Sequence, residues 1–164
     1  MSRVIDSFAG PYRFLSNFHP VTITYEDLSF PTVEHAYQAA KSFDLASRIR
    51  IRDAETPGKA KRLGTIVSLR PGWEAAKHDI MRALLLQKFA SGTSLAAELV
   101  STYPAVLIEG NWWGDRYWGV YRGTGSNHLG LLLMQLRETL IRETSAHDET
   151  SAPSPTKGTP VEPG

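Results

Sequence analysis

Eleven consecutive residues, Glu109-Gly110-Asn111-Trp112-Trp113-Gly114-Asp115-Arg116-Tyr117-Trp118-Gly119, hold three Trp, one Tyr, one Asp and three Gly. Neither a helical period nor a strand alternation accounts for that composition. Trp offers a flat stacking face and a single N–H donor, and glycine lets backbone approach a ligand closely. A lone Asp among such rings sits in a partly dry place, where a carboxylate is either paired or useful. The run reads as a loop that holds a flat ligand beside an acid, or as a surface loop pinned by a small aromatic cluster. The residues alone leave both readings open.

A second group lies on a predicted helix from Thr32 to Phe43. Val33, Ala36, Tyr37 and Ala40 are spaced for burial, while Glu34, Gln38 and Lys41 fall at i, i+4 and i+7 on an adjoining face. Seven residues turn through about 700°, so Glu34 and Lys41 share nearly one azimuth, about 10.5 Å apart along the axis. A substrate lying along that face could touch both; a solvated polar stripe is the plain alternative. Pro31 precedes this helix, whose N-terminus is a place where anions gather. His19, His35, His78, His128 and His147 show no metal-ligand spacing, and the chain has no Cys. No metal site, disulfide or thiolate nucleophile is therefore expected. Ser16-Asn17, following Arg13-Phe14, reads first as a turn and second as a ligand clamp. Lys59, Lys61 and Arg62 read as a wet helix face.

These groups must be positioned by short elements. Val21–Tyr25 and Leu28–Phe30 read as a hairpin closed by Pro31, with Thr32 capping the helix that follows. Asp44 can cap an Arg-rich helix to about Asp53. Thr56-Pro57 starts another that stops near Gly64. Trp73 to Phe89 carries the longest helical period, with Gly92 as its stop. Ser94–Thr102 is a short helix, and Ala105–Ile108 a short buried strand that delivers the chain into the Trp-rich loop. A last helix turns Leu129, Leu132, Leu133, Leu136 and Leu140 inward. The expected fold is α+β, a predominantly helical single domain with a few short strands.

At 164 residues the chain is long enough for one domain with a real core, and its net charge of +1 provides no strong field for nucleic acid or membrane. No apolar run approaches the roughly 20 residues of a membrane span, and Asp6 interrupts any signal-peptide core. A cytoplasmic location is expected. From Ser145 to Gly164 the residues are small, polar, charged or Pro, with Val161 the only large aliphatic. The domain is expected to span 1–144, with 145–164 a disordered tail. The oligomeric state is left open.

Several motifs together resemble one family, the NADAR or YbiA-like proteins. They are Phe14-Leu15-Ser16-Asn17-Phe18, Pro31-Thr32-Val33-Glu34-His35-Ala36-Tyr37-Gln38-Ala39-Ala40-Lys41, Lys59-Ala60-Lys61-Arg62-Leu63-Gly64 and Arg70 with Trp73. Met81, Lys88-Phe89, the run from Glu109 to Asp115, Tyr117-Trp118-Gly119-Val120, and Gly125 through Asn127 to Arg137 continue the match. The resemblance runs from about Phe14 to Leu140. It implies a YbiA-like fold and an N-glycosidase acting on ADP-ribose-type or related ribosyl nucleotides. The family's associated activities are removal of ADP-ribose from guanine bases and cleavage of riboflavin-pathway intermediates. Family catalytic positions map onto Glu34, Trp73 and Asp115, and Lys41 is the candidate for a catalytic lysine. One departure is Trp112, which stands where the family commonly has a smaller polar residue and either narrows the base pocket or packs outward.

Cleavage of a ribosyl C–N bond fits these residue types, because a carboxylate can stabilise positive charge at the anomeric carbon while a second group handles the proton or the water. A lysine that attacks instead must be neutral, hence desolvated. Trp73, Trp113 and Trp118 are candidates to stack on a base or adenine. Arg13, Ser16, Asn17, Gly123 and Gly125 are candidates for a diphosphate, with Gly119 and Asn127 as further candidate substrate contacts. No cofactor is expected. The expected partner is an ADP-ribosylated guanine nucleotide or nucleic acid, as substrate. A non-catalytic ADP-ribose reader is the alternative of another class.

Overall fold

A computed structural model describes residues 3–151 and residue 153. Its architecture is helix-dominated α+β. Strand β1 (Val4–Ile5) leads through a 3-10 helix (Gly10–Leu15) to the hairpin β2 (Ile23–Tyr25) and β3 (Leu28–Phe30). Helices α1 (Val33–Ala40), α2 (Leu45–Arg52), α3 (Pro57–Gly64), α4 (Trp73–Lys88) and α5 (Ser94–Ser101) follow. The chain closes with β4 (Val106–Leu107), β5 (Gly110–Asn111), β6 (Val120–Tyr121) and α6 (His128–Thr150). No helix among the described residues is long and apolar enough to cross a membrane.

Caps explain where the helices start. The Thr32, Asp44, Thr56 and Thr93 side chains each accept the backbone N–H three residues on, opening α1, α2, α3 and α5. Helix α1 ends at Ala40, short of the expected Phe43. The Lys41 carbonyl accepts the Arg70 N–H at 2.7 Å, and Ser42 Oγ accepts the Asp44 N–H at 3.1 Å, turning the chain into α2. Helix α1 is also the hub of the fold. It packs against α2, α3, α4 and the hairpin, and all eight of its residues are buried. The alternative of a solvated stripe does not hold for Glu34 and Gln38, whose side chains are buried. Ala36, Ala39 and Ala40 allow this close packing, and α3 comes close enough that a Cβ on Gly64 would stand 1.8 Å from Gln38 Oε1.

Two strand pairs were not foreseen. β1 pairs in parallel with β4, Ile5 opposite Leu107, and β5 pairs in parallel with β6, Asn111 opposite Tyr121. Two-residue strands carry too little pattern to be read locally. At the other end, α6 continues to Thr150, so residues 145–150 are helical rather than the start of a disordered tail, although all six are exposed. Apart from Ser151 and Pro153, both exposed, the remainder of the expected tail lies outside the described residues.

Candidate active site

One cavity of about 560 Å³ opens between α1, α3, the N-terminal segment and the loop joining β5 to β6. Its size suits a nucleotide-sized ligand, since small-molecule sites run from about 300 to 1,000 Å³. Glu34, Tyr37, Gln38 and Lys41 from α1 and Lys61 from α3 line it. Arg13, Ser16 and Asn17 border it from the 3-10 helix and the turn after it. Glu109, Trp112, Trp113, Asp115 and Trp118 come from the loop side. A smaller concavity of about 240 Å³, between α4 and α6, has no carboxylate in its lining.

The first turn of α1 fixes Glu34. Its backbone N–H donates to the Asn17 carbonyl at 3.1 Å, which ties the turn after the 3-10 helix to the helix start. His35 faces away and locks the same turn. Its Nε2 lies 3.0 Å from the Ala54 carbonyl, which can only accept, so Nε2 carries the proton and Nδ1 accepts from the Thr32 hydroxyl at 2.7 Å. The Glu34 carboxylate accepts from Gln38 Nε2 at 2.7 Å. Burial raises the Glu34 carboxyl above its ordinary range, against the Gln38 hydrogen bond and the charges of Lys61 and Lys41. Lys41 moves the opposite way. Burial lowers its ammonium, and the Glu34 charge only partly opposes this. Both shifts favour the neutral forms, a carboxylic acid and an amine.

Asn111 organises the opposite wall. Its Oδ1 accepts the Gly114 and Asp115 N–H groups at 3.1 and 3.0 Å, and its Nδ2 donates to the Asp115 carbonyl at 2.8 Å. Asp115 Oδ1 in turn accepts the Tyr117 and Trp118 N–H groups at 2.9 and 2.8 Å. One oxygen of this carboxylate thus belongs to the loop. The loop is itself fastened to α6, whose His128 and Leu129 N–H groups donate to the Tyr117 and Trp118 carbonyls at 3.1 and 3.0 Å. Trp118 is buried, donates from Nε1 to the Tyr37 hydroxyl at 3.1 Å, and packs among Tyr37, Tyr117, His78 and His128. Among the described residues, no group of three or more His, Asp or Glu is placed to hold a metal ion.

Residues 6–141 match the family model of the NADAR domain. The chain belongs to the NADAR family. It is 41% identical over 140 residues to N-glycosidase YbiA of Escherichia coli, covering 84% of this chain and 87% of that protein. The NMR structure of YbiA superposes with a TM-score of 0.74 at 36% identity, covering 96% of this chain and 94% of that one. A riboflavin biosynthesis protein of Vibrio vulnificus is 35% identical over 132 residues, 79% of this chain but 36% of that protein. An N-glycosidase of the NADAR type is the class these relatives define, and the YbiA fold is the fold of this chain.

Within this NADAR domain, Glu34, Lys41, Asp115, Arg13, Ser16, Asn17, Trp113 and Trp118 all border the one cavity, although 102 positions separate Arg13 from Asp115. Trp73, Gly119, Gly125 and Asn127 are not in its lining. Trp73 is buried with its ring 5.3 Å from that of Tyr37, which it props against the cavity. Asn127 donates to the Leu107 carbonyl and accepts the Glu109 N–H, both at 2.9 Å, and so pins backbone. Gly125 is needed for close approach, since a Cβ would stand 2.1 Å from the Gly119 carbonyl oxygen. Trp112, the departure from the family pattern, is 83% exposed and borders the cavity at its rim.

Sequence reasoning missed Lys61, read as a wet face, and Glu109, read only as the edge of the aromatic run. Lys61 Nζ stands 4.6 Å from the centre of the Trp113 ring, inside the cavity lining. Its signal was available in the matching motif Lys59–Gly64. Tyr37 was assigned to burial and is indeed buried, yet it also forms part of the wall.

Proposed function

We propose that this cavity hydrolyses the N-glycosidic bond joining ADP-ribose to guanine, in a nucleotide or a nucleic acid, and releases ADP-ribose. The observation that carries this reading is the meeting of Glu34, Lys41 and Asp115, from distant parts of the chain, in one nucleotide-sized cavity. Heterolysis of a ribosyl C–N bond builds positive charge at the anomeric carbon. Asp115, held rigid through Oδ1, supplies negative charge to that carbon. Lys41, favoured as a neutral amine by burial, attacks it and forms an imine with the opened sugar. Glu34, nearly two turns back along the same helix, relays the lysine proton. Water then hydrolyses the imine and restores the amine. Trp113, half exposed over Lys61, stacks on the base or adenine, and Arg13 with Ser16 faces the diphosphate.

A second reading keeps the glycosidase and changes the substrate. The match to a riboflavin biosynthesis protein over 79% of this chain favours an N-glycoside of that pathway. The test offers both substrates to the purified protein, with and without chelator, and identifies products by mass. The proposal expects ADP-ribose and an intact base from the modified guanine, with chelator making no difference. Turnover of the riboflavin intermediate alone would transfer the site to the second reading. Borohydride added during turnover should trap a protein–sugar adduct that Lys41→Ala removes. An adduct that Lys61→Ala removes instead would give the nucleophile's role to Lys61.

A further inference from the structure

We propose that Glu109 is the catalytic acid that protonates the leaving base. This inference rests on the reading of the cavity as an N-glycosidase site. A nitrogen leaving group departs poorly as an anion; Asp115 is braced as an acceptor, and Glu34 is bonded to Gln38 and already assigned to the lysine proton.

The fold builds a seat for the Glu109 carboxyl. Its backbone is held at both ends: the N–H donates to Asn127 Oδ1 at 2.9 Å, and the carbonyl accepts the Val120 N–H at 2.8 Å across the β5–β6 junction. Its Oε2 accepts from Asn111 Nδ2 at 3.1 Å, the same amide that anchors Asp115. Its Oε1 accepts no hydrogen bond among the described residues and is the oxygen available to a ligand. Gly119 leaves room for the carboxyl, because a Cβ there would stand 1.8 Å from Glu109 Oε2. The carboxyl lines the cavity, and the charged groups that act on it are Asp115 in the loop, Lys61 on α3 and Glu34 on α1. Burial pushes it up to about 7; the Asn111 hydrogen bond opposes that and the Asp115 charge adds to it. A neutral carboxyl at physiological pH is the form a proton donor needs.

The step balances without a further reactant. The C–N bond breaks with its electron pair on nitrogen, and the Glu109 proton bonds to that nitrogen. The Glu109 carboxylate then takes a proton from the water whose oxygen ends on the sugar, so water is divided between base and sugar and the acid is restored.

The experiment measures kcat and KM against pH for the wild-type protein and for Glu109→Gln on ADP-ribosylated guanosine. The wild-type kcat should fall as pH rises through about 7, where the acid form is lost. Glu109→Gln should lower kcat roughly 100- to 10,000-fold at pH 6, leave KM within a few-fold, and abolish the basic limb. Wild-type turnover with a Glu109→Gln profile that keeps rate and limb overturns the role of Glu109 alone. Absence of product from the wild-type protein on any N-ribosyl substrate overturns the glycosidase reading and the role together. Should Glu109→Gln fail to fold, Glu109→Asp replaces it: a displaced basic limb supports the role, and an unmoved one overturns it.

Discussion

Glu34 is a carboxyl that the fold has taken out of water and supplied with a single side-chain hydrogen bond, from Gln38. That arrangement is poor for stability and useful for proton transfer. Glu34→Gln keeps the shape and should reduce kcat roughly 100- to 10,000-fold with little change in melting temperature. Parallel loss of activity and of melting temperature would make Glu34 a structural residue. The two cavity tryptophans should separate cleanly. Trp113 is half exposed, so Trp113→Ala should raise Kd by about 5- to 150-fold, the equivalent of roughly 1–3 kcal/mol for one stacking contact, and leave folding intact. Trp118 is buried and bonded to Tyr37. Trp118→Ala should instead destabilise the fold by about 3–5 kcal/mol. Ligand titration and denaturant unfolding of both variants check this, and unchanged binding in Trp113→Ala would detach the loop from the ligand.

Between residues and fold stand the elements that carry the site, and the turn after the 3-10 helix depends on an unusual tether. Lys88, buried at the end of α4, donates from Nζ to the Ser16 carbonyl at 2.6 Å. Burial lowers its ammonium from 10.5 to about 7. A folded-state value below the unfolded one means that Lys88 contributes most above pH 10.5, and that its contribution declines as pH falls to about 7. The unfolding free energy of the wild-type protein, minus that of Lys88→Met, should therefore grow with pH by about 1.4 kcal/mol per unit across that window. A difference that stays flat would mean Lys88 is charged in the folded protein. Helix starts were legible in the sequence wherever a Thr or Asp cap stood three residues before its partner N–H, as at Thr32, Asp44 and Thr56. The ends were harder. Helix α1 stops where Arg70, far along the chain, takes the Lys41 carbonyl, and no local pattern contains that contact. Likewise the motif residues at the site were legible, but Asn127 acts on the backbone of Leu107 and Glu109, 20 and 18 positions earlier, which no local pattern contains. Lys61 needed the α1–α3 contact to become part of a cavity.

At the scale of the molecule, helix α1 is buried on all sides and the Trp-rich loop is fastened to α6, so the cavity lies between well-anchored parts. The end of α6 is peripheral to it. Residues 142–150 are exposed and none lines the cavity. A protein ending at Thr144 should keep wild-type turnover and a nearly unchanged melting temperature. A large drop in turnover with the fold intact would show that the C-terminal segment takes part in substrate binding. The central claim is that this cavity breaks a ribosyl C–N bond. Its most direct test is mass analysis of products after incubation of the wild-type protein and Glu34→Gln with DNA carrying ADP-ribosylated guanine. The account predicts intact ADP-ribose and unmodified guanine in the DNA from the wild-type protein, and almost none from Glu34→Gln. Cleavage within the diphosphate, or equal release by both proteins, would contradict it.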